Sequence, residues 1–290
     1  MDVWDVIFFI FFLENLILVT INILAAYIII TSKRLRSVFN NFLLCLLFIT
    51  HVTTGFFNLV RCIFLLRWVV VDPKVAEAIE ITRDSFTALE IHLTILLSME
   101  RYLAIRKPFM YARLGKIHAS LSISVAVFFS LLFMILRILW NGSIAIATMF
   151  VFAGAVAITI TNLLLYRSIK RQCREIAATI VDNSNELKLK RKKLVKDREM
   201  KSLKICLMIA VSYLLTWLVL MSGYTVLQRI KSNRYQNLKF VFAIIGFSNG
   251  IWDVMIFFHL NSTARRRIRQ IVHLPTSTIE TSQYDCTSVI

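Results

Sequence analysis

The stretch EIHLTILLSMERYLAIRKPFMY, Glu90 to Tyr111, decides how this chain is read. It is an apolar run that ends in Glu100-Arg101-Tyr102, an acid, an arginine and an aromatic set together at the end of a hydrophobic helix. A guanidinium at a membrane edge is costly to place, so an arginine there has a partner or a task. The trio closes the third of seven long apolar blocks: Val6–Ile30, Asn41–Trp68, Val75–Ala104, Ile117–Trp140, Ile144–Tyr166, Leu203–Gln228 and Leu238–Leu260. A membrane-crossing helix needs about 20 mostly apolar residues, and each block has them. The third is the least apolar, interrupted by Glu77, Glu80, Arg83, Asp84 and Glu90.

Composition agrees. The chain is 58% hydrophobic with 22 Phe, where soluble domains run at roughly 45–50% apolar. With three prolines and seven glycines, the helices are expected to run largely unbroken. A net charge of +17 would point to nucleic acid in a soluble protein, but its distribution excludes that partner. With the N-terminus outside, 25 of the 34 basic residues fall in the four inner segments, 13 of them between Arg167 and Lys204. Cytoplasmic loops are enriched in Lys and Arg, so the expectation is an N-terminus outside and a C-terminus inside, with the basic face toward anionic lipid. The N-terminus has no basic region and no small-residue cleavage site, so the first span is expected to act as signal anchor.

The expected fold is an all-α seven-helix membrane bundle over residues 1–272, with a basic third inner loop at about 170–201. After Leu260, Ile268, Ile271 and Val272 among arginines predict a short amphipathic helix at the inner interface. Residues 273–290 are expected to be a disordered cytoplasmic tail, and its end, Ser288-Val289-Ile290, fits the carboxyl-terminal pattern taken up by PDZ domains. The dispersed His51, His92 and His259 form no catalytic or metal-ligand constellation, and no enzyme activity is expected.

The seven blocks and the Glu100-Arg101-Tyr102 trio resemble the rhodopsin-like (class A) G-protein-coupled receptors. The likeness implies a receptor at the plasma membrane that binds an extracellular ligand within the bundle and activates a heterotrimeric G protein, with arrestin a further partner. It implies that Pro108-Phe109 contacts the G protein, and that Glu199, eighteen residues before Trp217, holds Arg101 at rest. Tyr213 and Trp217 match the aromatic pair of the sixth helix, Tyr166 the inner tyrosine of the fifth, Asn22 the asparagine of the first, and Asp253 and Phe257 the ends of the seventh-helix motif. Val219, Val254 and Phe257 depart from the family pattern, as does the absence of an outer disulfide, since Ala76 stands at the start of the third helix. The absent outer disulfide, a second outer loop of little more than Asn141-Gly142-Ser143 and a fifth helix without proline together resemble the melanocortin, cannabinoid and lipid receptors.

Two further groupings follow. The second-helix aspartate of the family aligns with Thr50, while Glu90 lies 11 residues before Arg101, about 16 Å up the helix at 1.5 Å per residue. The expectation is a polar cluster of Asn22, Thr50, Glu90, Asn249 and Asp253, with no cofactor required. Its carboxylates would share a proton or hold a sodium ion, the alternative being one protonated Glu in a core. Toward the outer end, Glu80, Arg83, Asp84, Thr87, Trp217 and Tyr224 form a candidate ligand pocket. Arg83 stands where amine receptors place an aspartate, which disfavours an amine. It would hold an anionic ligand or pair with Asp84 or Glu80, while the acids beside it would meet a basic peptide, a metal cation or only solvent. The rival functions are a receptor-like protein that does not signal, and a proton-linked transporter using Glu14, Glu90 and Asp253.

Overall fold

Long apolar runs with no proline inside them fold as long helices, because nothing removes a hydrogen-bond donor from their interiors. The computed structural model describes residues 3–36, 39–65, 72–106, 111, 116–140, 144–181, 186–229 and 238–271. The helices are α1 (Val3–Thr31), α2 (Lys33–Arg36), α3 (Phe39–Leu65), α4 (Pro73–Arg106), α5 (Lys116–Leu139), α6 (Ile144–Val181), α7 (Glu186–Arg229), α8 (Leu238–Phe247), α9 (Asn249–Leu260) and α10 (Ser262–Ile271). No strand occurs among the described residues. Pro108, Phe109, the tail and Ser288–Ile290 lie outside them, as do the side chains of Glu199 and Tyr224.

Local chemistry sets the boundaries. Asp72 accepts a hydrogen bond from the Lys74 amide at 2.8 Å, and Pro73 occupies the first helical position of α4, where its missing N–H costs nothing. Asn261 accepts from the Ala264 amide at 3.1 Å and so caps α10, the expected amphipathic helix, whose Ala264 is buried and whose Ile268 packs on the core. α8 and α9 form one span with a turn at Ser248, whose hydroxyl donates to the Ile245 carbonyl at 2.7 Å. α6 and α7 extend well past their apolar blocks into the basic stretch between them.

Six segments are long and apolar enough to cross a membrane: 5–31, 39–64, 120–139, 148–168, 207–227 and 238–260. The chain is an all-α, multi-pass membrane protein. α4 is longer than any of these segments, at 34 residues, but its charges keep it out of that set. Packing explains how it carries them: α4 contacts α3, α5, α6 and α7. Twelve of its residues are buried, Glu90 and Glu100 among them. The outer helices present their apolar side chains to the surroundings instead, as Phe128 on α5 and Phe152 on α6 do at 62% and 64% exposure.

Two apolar clusters build the core. One holds Ile29, Leu44, Phe48, Leu97, Ile209 and Phe257, and the other Phe11, Ile91, Ile158, Tyr213, Trp217 and Phe247. At Gly154, α6 comes so close to α4 that a Cβ would lie 2.4 Å from Ile91 Cγ2. Overpacking a buried contact costs about 1–3 kcal/mol. Gly154→Val is therefore expected to lower stability by that order, read as a fall in the thermal unfolding midpoint of the purified protein, and an unchanged midpoint would show that these helices do not touch there.

Candidate functional site: a buried histidine between two carboxylates

A carboxylate inside a bilayer needs a counter-charge or a proton. Glu90 of α4 and Asp253 of α9 are 3% and 0% exposed, and the imidazole of His51, from α3, lies between them. Its Nδ1 is 3.2 Å from Glu90 Oε1 and its Nε2 3.2 Å from Asp253 Oδ2. Either an imidazolium donates to two carboxylates, or a neutral imidazole donates to one and accepts from the acid form of the other. Both arrangements use both hydrogen bonds and leave the set with the same net charge.

The neighbours complete the network. The Thr54 hydroxyl donates to Glu90 Oε1 at 2.7 Å, and Asn249 Nδ2 lies 3.4 Å from Asp253 Oδ2. The Ser212 hydroxyl donates to Asn249 Oδ1 at 3.0 Å, and Asn22 Nδ2 to the Gly250 carbonyl at 3.2 Å. Thus α1, α3, α4, α7 and α9 meet in one polar layer. Gly250 is required there, because a Cβ would come within 2.9 Å of His51 Cγ and 2.6 Å of Leu18 Cδ1.

This layer corrects the sequence reading in two ways. His51, which looked dispersed, is its centre and occupies the space between Glu90 and Asp253 that was expected to hold a shared proton or a sodium ion. Thr50 is not a member: its hydroxyl donates to the Leu46 and Leu47 carbonyls of its own helix at 2.7 and 3.0 Å. Neighbouring positions on a helix point about 100° apart at 3.6 residues per turn, so the residue after Thr50, and Thr54 one turn on, face the carboxylates instead. Asn22 and Asn249 fall in the layer as expected. Among the described residues no cluster of three or more His, Cys, Asp or Glu is arranged to hold a metal ion.

Above the layer stand Tyr213 and Trp217, both buried, their rings 5.8 Å apart, with Trp217 edge-on to Phe247. The Tyr213 hydroxyl and the Trp217 N–H have no hydrogen-bond partner among the described residues. Beyond them is a cavity of about 180 Å³ at the end of the bundle where α3 and α5 finish and α4, α6 and α8 begin. Asp84 accepts from Arg83 and from Arg137 of α5, at 2.7 Å each, and Arg61 of α3 pairs with Glu80 at 2.8 Å. The expected pocket residues Glu80, Arg83, Asp84, Thr87 and Trp217 all line this cavity. Sequence reading missed Arg61, Arg137 and Lys239 as members. The available signal was a lone cation near the end of each apolar helix, which in a membrane protein implies a partner.

At the opposite end, Arg101 Nη2 donates to Glu100 Oε1 at 2.8 Å, and its Nε to Asn40 Oδ1 of α3 at 3.1 Å. The Tyr111 hydroxyl also donates to Glu100. Burial and the adjacent Glu100 carboxylate push the Tyr111 phenol above its ordinary pKa, so it stays a donor. Tyr102 packs with Ile105 and Leu165, Phe257 is fully buried against Phe48, and Tyr166 is 55% exposed on the surface of α6. No protein-family model and no curated protein matches this chain.

Removing one partner of a buried charge pair costs about 3–5 kcal/mol. His51→Ala is expected to lower stability by that amount, read as loss of folded protein and of thermal midpoint. Adding Glu90→Gln and Asp253→Asn to His51→Ala should recover most of the loss, because no carboxylate then remains uncompensated.

Proposed function

We propose that this chain is a divergent rhodopsin-like (class A) G-protein-coupled receptor. It crosses the plasma membrane seven times, α4 included, with its N-terminus outside and its C-terminus in the cytoplasm. An extracellular ligand enters the cavity lined by Arg83, Asp84, Thr87, Glu80 and Trp217. The inner face, with Pro108 and Phe109, engages a heterotrimeric G protein, and arrestin and a PDZ domain are further partners. The observation that carries this reading is the central place of α4, which joins the outer cavity at Arg83 to the buried Glu90 and the inner Glu100–Arg101 pair. A ligand that moves this one helix, or Trp217 against it, changes all three levels together.

Signalling requires two states that a ligand favours unequally. At the inner end Arg101 is held by Glu100 and Asn40, with Glu199 the further partner proposed for the resting state. Freeing the guanidinium lets it turn toward the G protein. The departures from the family pattern at Val219, Val254 and Phe257 favour the second reading, a receptor-like protein that does not signal; Phe257 packs against Phe48 with ring centroids 5.5 Å apart.

Basal G-protein activation, measured at matched surface expression, separates the two. Glu100→Gln and Glu199→Ala are each expected to raise it by at least about fivefold, the lower bound of a typical coupling energy. Arg101→Ala in the same background should abolish the rise. Flat output from every variant supports the non-signalling protein.

A further inference from the structure

The outer cavity has a neighbour of opposite character. Four cationic side chains, Arg61, Arg83, Arg137 and Lys239, line the cavity against two carboxylates, Glu80 and Asp84. Asp84 grips Arg83 and Arg137 from one side and fixes both guanidinium groups in the wall. The described lining therefore carries an excess of positive charge in a partly dehydrated space, where it attracts anions far more strongly than it would in water. Guanidinium groups in a fixed arrangement suit carboxylate and phosphate heads.

Beside it, between α6 and α7, runs an apolar groove of about 470 Å³. Thr148, Val151, Trp217 and Met221 line both spaces, so the cationic cavity and the apolar groove share a wall. The groove opens on the apolar surface of the bundle, where Phe152, Leu218 and Val226 are 64%, 49% and 56% exposed. A purely polar anion would leave this groove unfilled, and a neutral lipid would make no use of the four cations set against two carboxylates in the described lining.

We propose that the cavity and groove together bind a single-chain amphipathic anion, its carboxylate or phosphate head among the cations and its alkyl tail along the groove between α6 and α7. This rests on the outer cavity being the ligand site of the receptor proposed above. The head is drawn by charge, the tail by removal of apolar surface from water, and Trp217, at the junction of the two spaces, lies where the chain turns from one to the other.

The test uses the full chain in phosphatidylcholine nanodiscs, with thermal stabilisation as the readout. The probes are dodecanoate, dodecyl phosphate, dodecanol and inorganic phosphate. Saturable stabilisation by either dodecyl anion, with none from dodecanol or inorganic phosphate, is the expected result, and the stronger of the two anions identifies the head. Ser222→Trp, which fills the groove from an exposed position, and Lys239→Met, which removes a cavity cation without taking a partner from Asp84, should each weaken the binding by about tenfold or more.

Equal stabilisation by dodecanol would overturn the charge recognition. Stabilisation by inorganic phosphate alone would overturn the role of the groove, and no stabilisation by any probe would overturn the site. Anion binding without any effect on G-protein activation would keep this site and sink the receptor. Intact signalling with no binding would do the reverse.

Discussion

The bridge from Glu90 through His51 to Asp253 is the contact on which the rest of the bundle depends. Each carboxylate alone would be an uncompensated charge in a region with no water to solvate it. Held on either side of one imidazole, they share its two ring nitrogens, leave a single net negative charge in place of two, and tie α3 to α4 and to α9. The bridge lets α4 keep charges at mid-height without leaving the bundle, and it explains why α4 is surrounded by other helices rather than placed at the rim.

The same solution recurs at both ends of α4. Arg83 and Arg137 share Asp84 at one end, and Arg101 is held by Glu100 and Asn40 at the other. Polar contacts at three heights, with apolar packing between them, make α4 the element that links all three levels. Such an element suits a two-state device, since interfaces built this way switch between packings more readily than they deform. The buried Tyr213 and Trp217, each with a polar atom lacking a protein partner among the described residues, lie on the seam between α7 and α4 where such a shift would pass.

Much of the helical layout was legible in the sequence, because length of apolar run and absence of proline are properties of one helix at a time. The amphipathic Ser262–Ile271 helix was legible for the same reason. Rotation of one helix against another was not. The family likeness put Thr50 opposite Glu90, whereas packing turned His51 and Thr54 toward it, and no periodicity within α3 distinguishes these faces. Arg61, Arg137 and Lys239 converge from three different helices, so their cluster exists only after folding. The pocket residues contributed by α4 itself were legible because Glu80, Arg83, Asp84 and Thr87 follow one another at steps of one to three residues near the end of a single helix. Glu199 as partner of Arg101 belongs to the family likeness, while Glu100 and Asn40 are the partners that the geometry supplies.

The decisive point is whether α4, with its paired charges, crosses the membrane. Six spans place the two ends of the chain on the same side, and seven place them on opposite sides. The direct measurement is antibody access to short tags at each terminus, in intact and in permeabilised cells. Seven spans predict an N-terminal tag reached in intact cells and a C-terminal tag reached only after permeabilisation. Both tags on one side would contradict the membrane-crossing α4 and the receptor built around it.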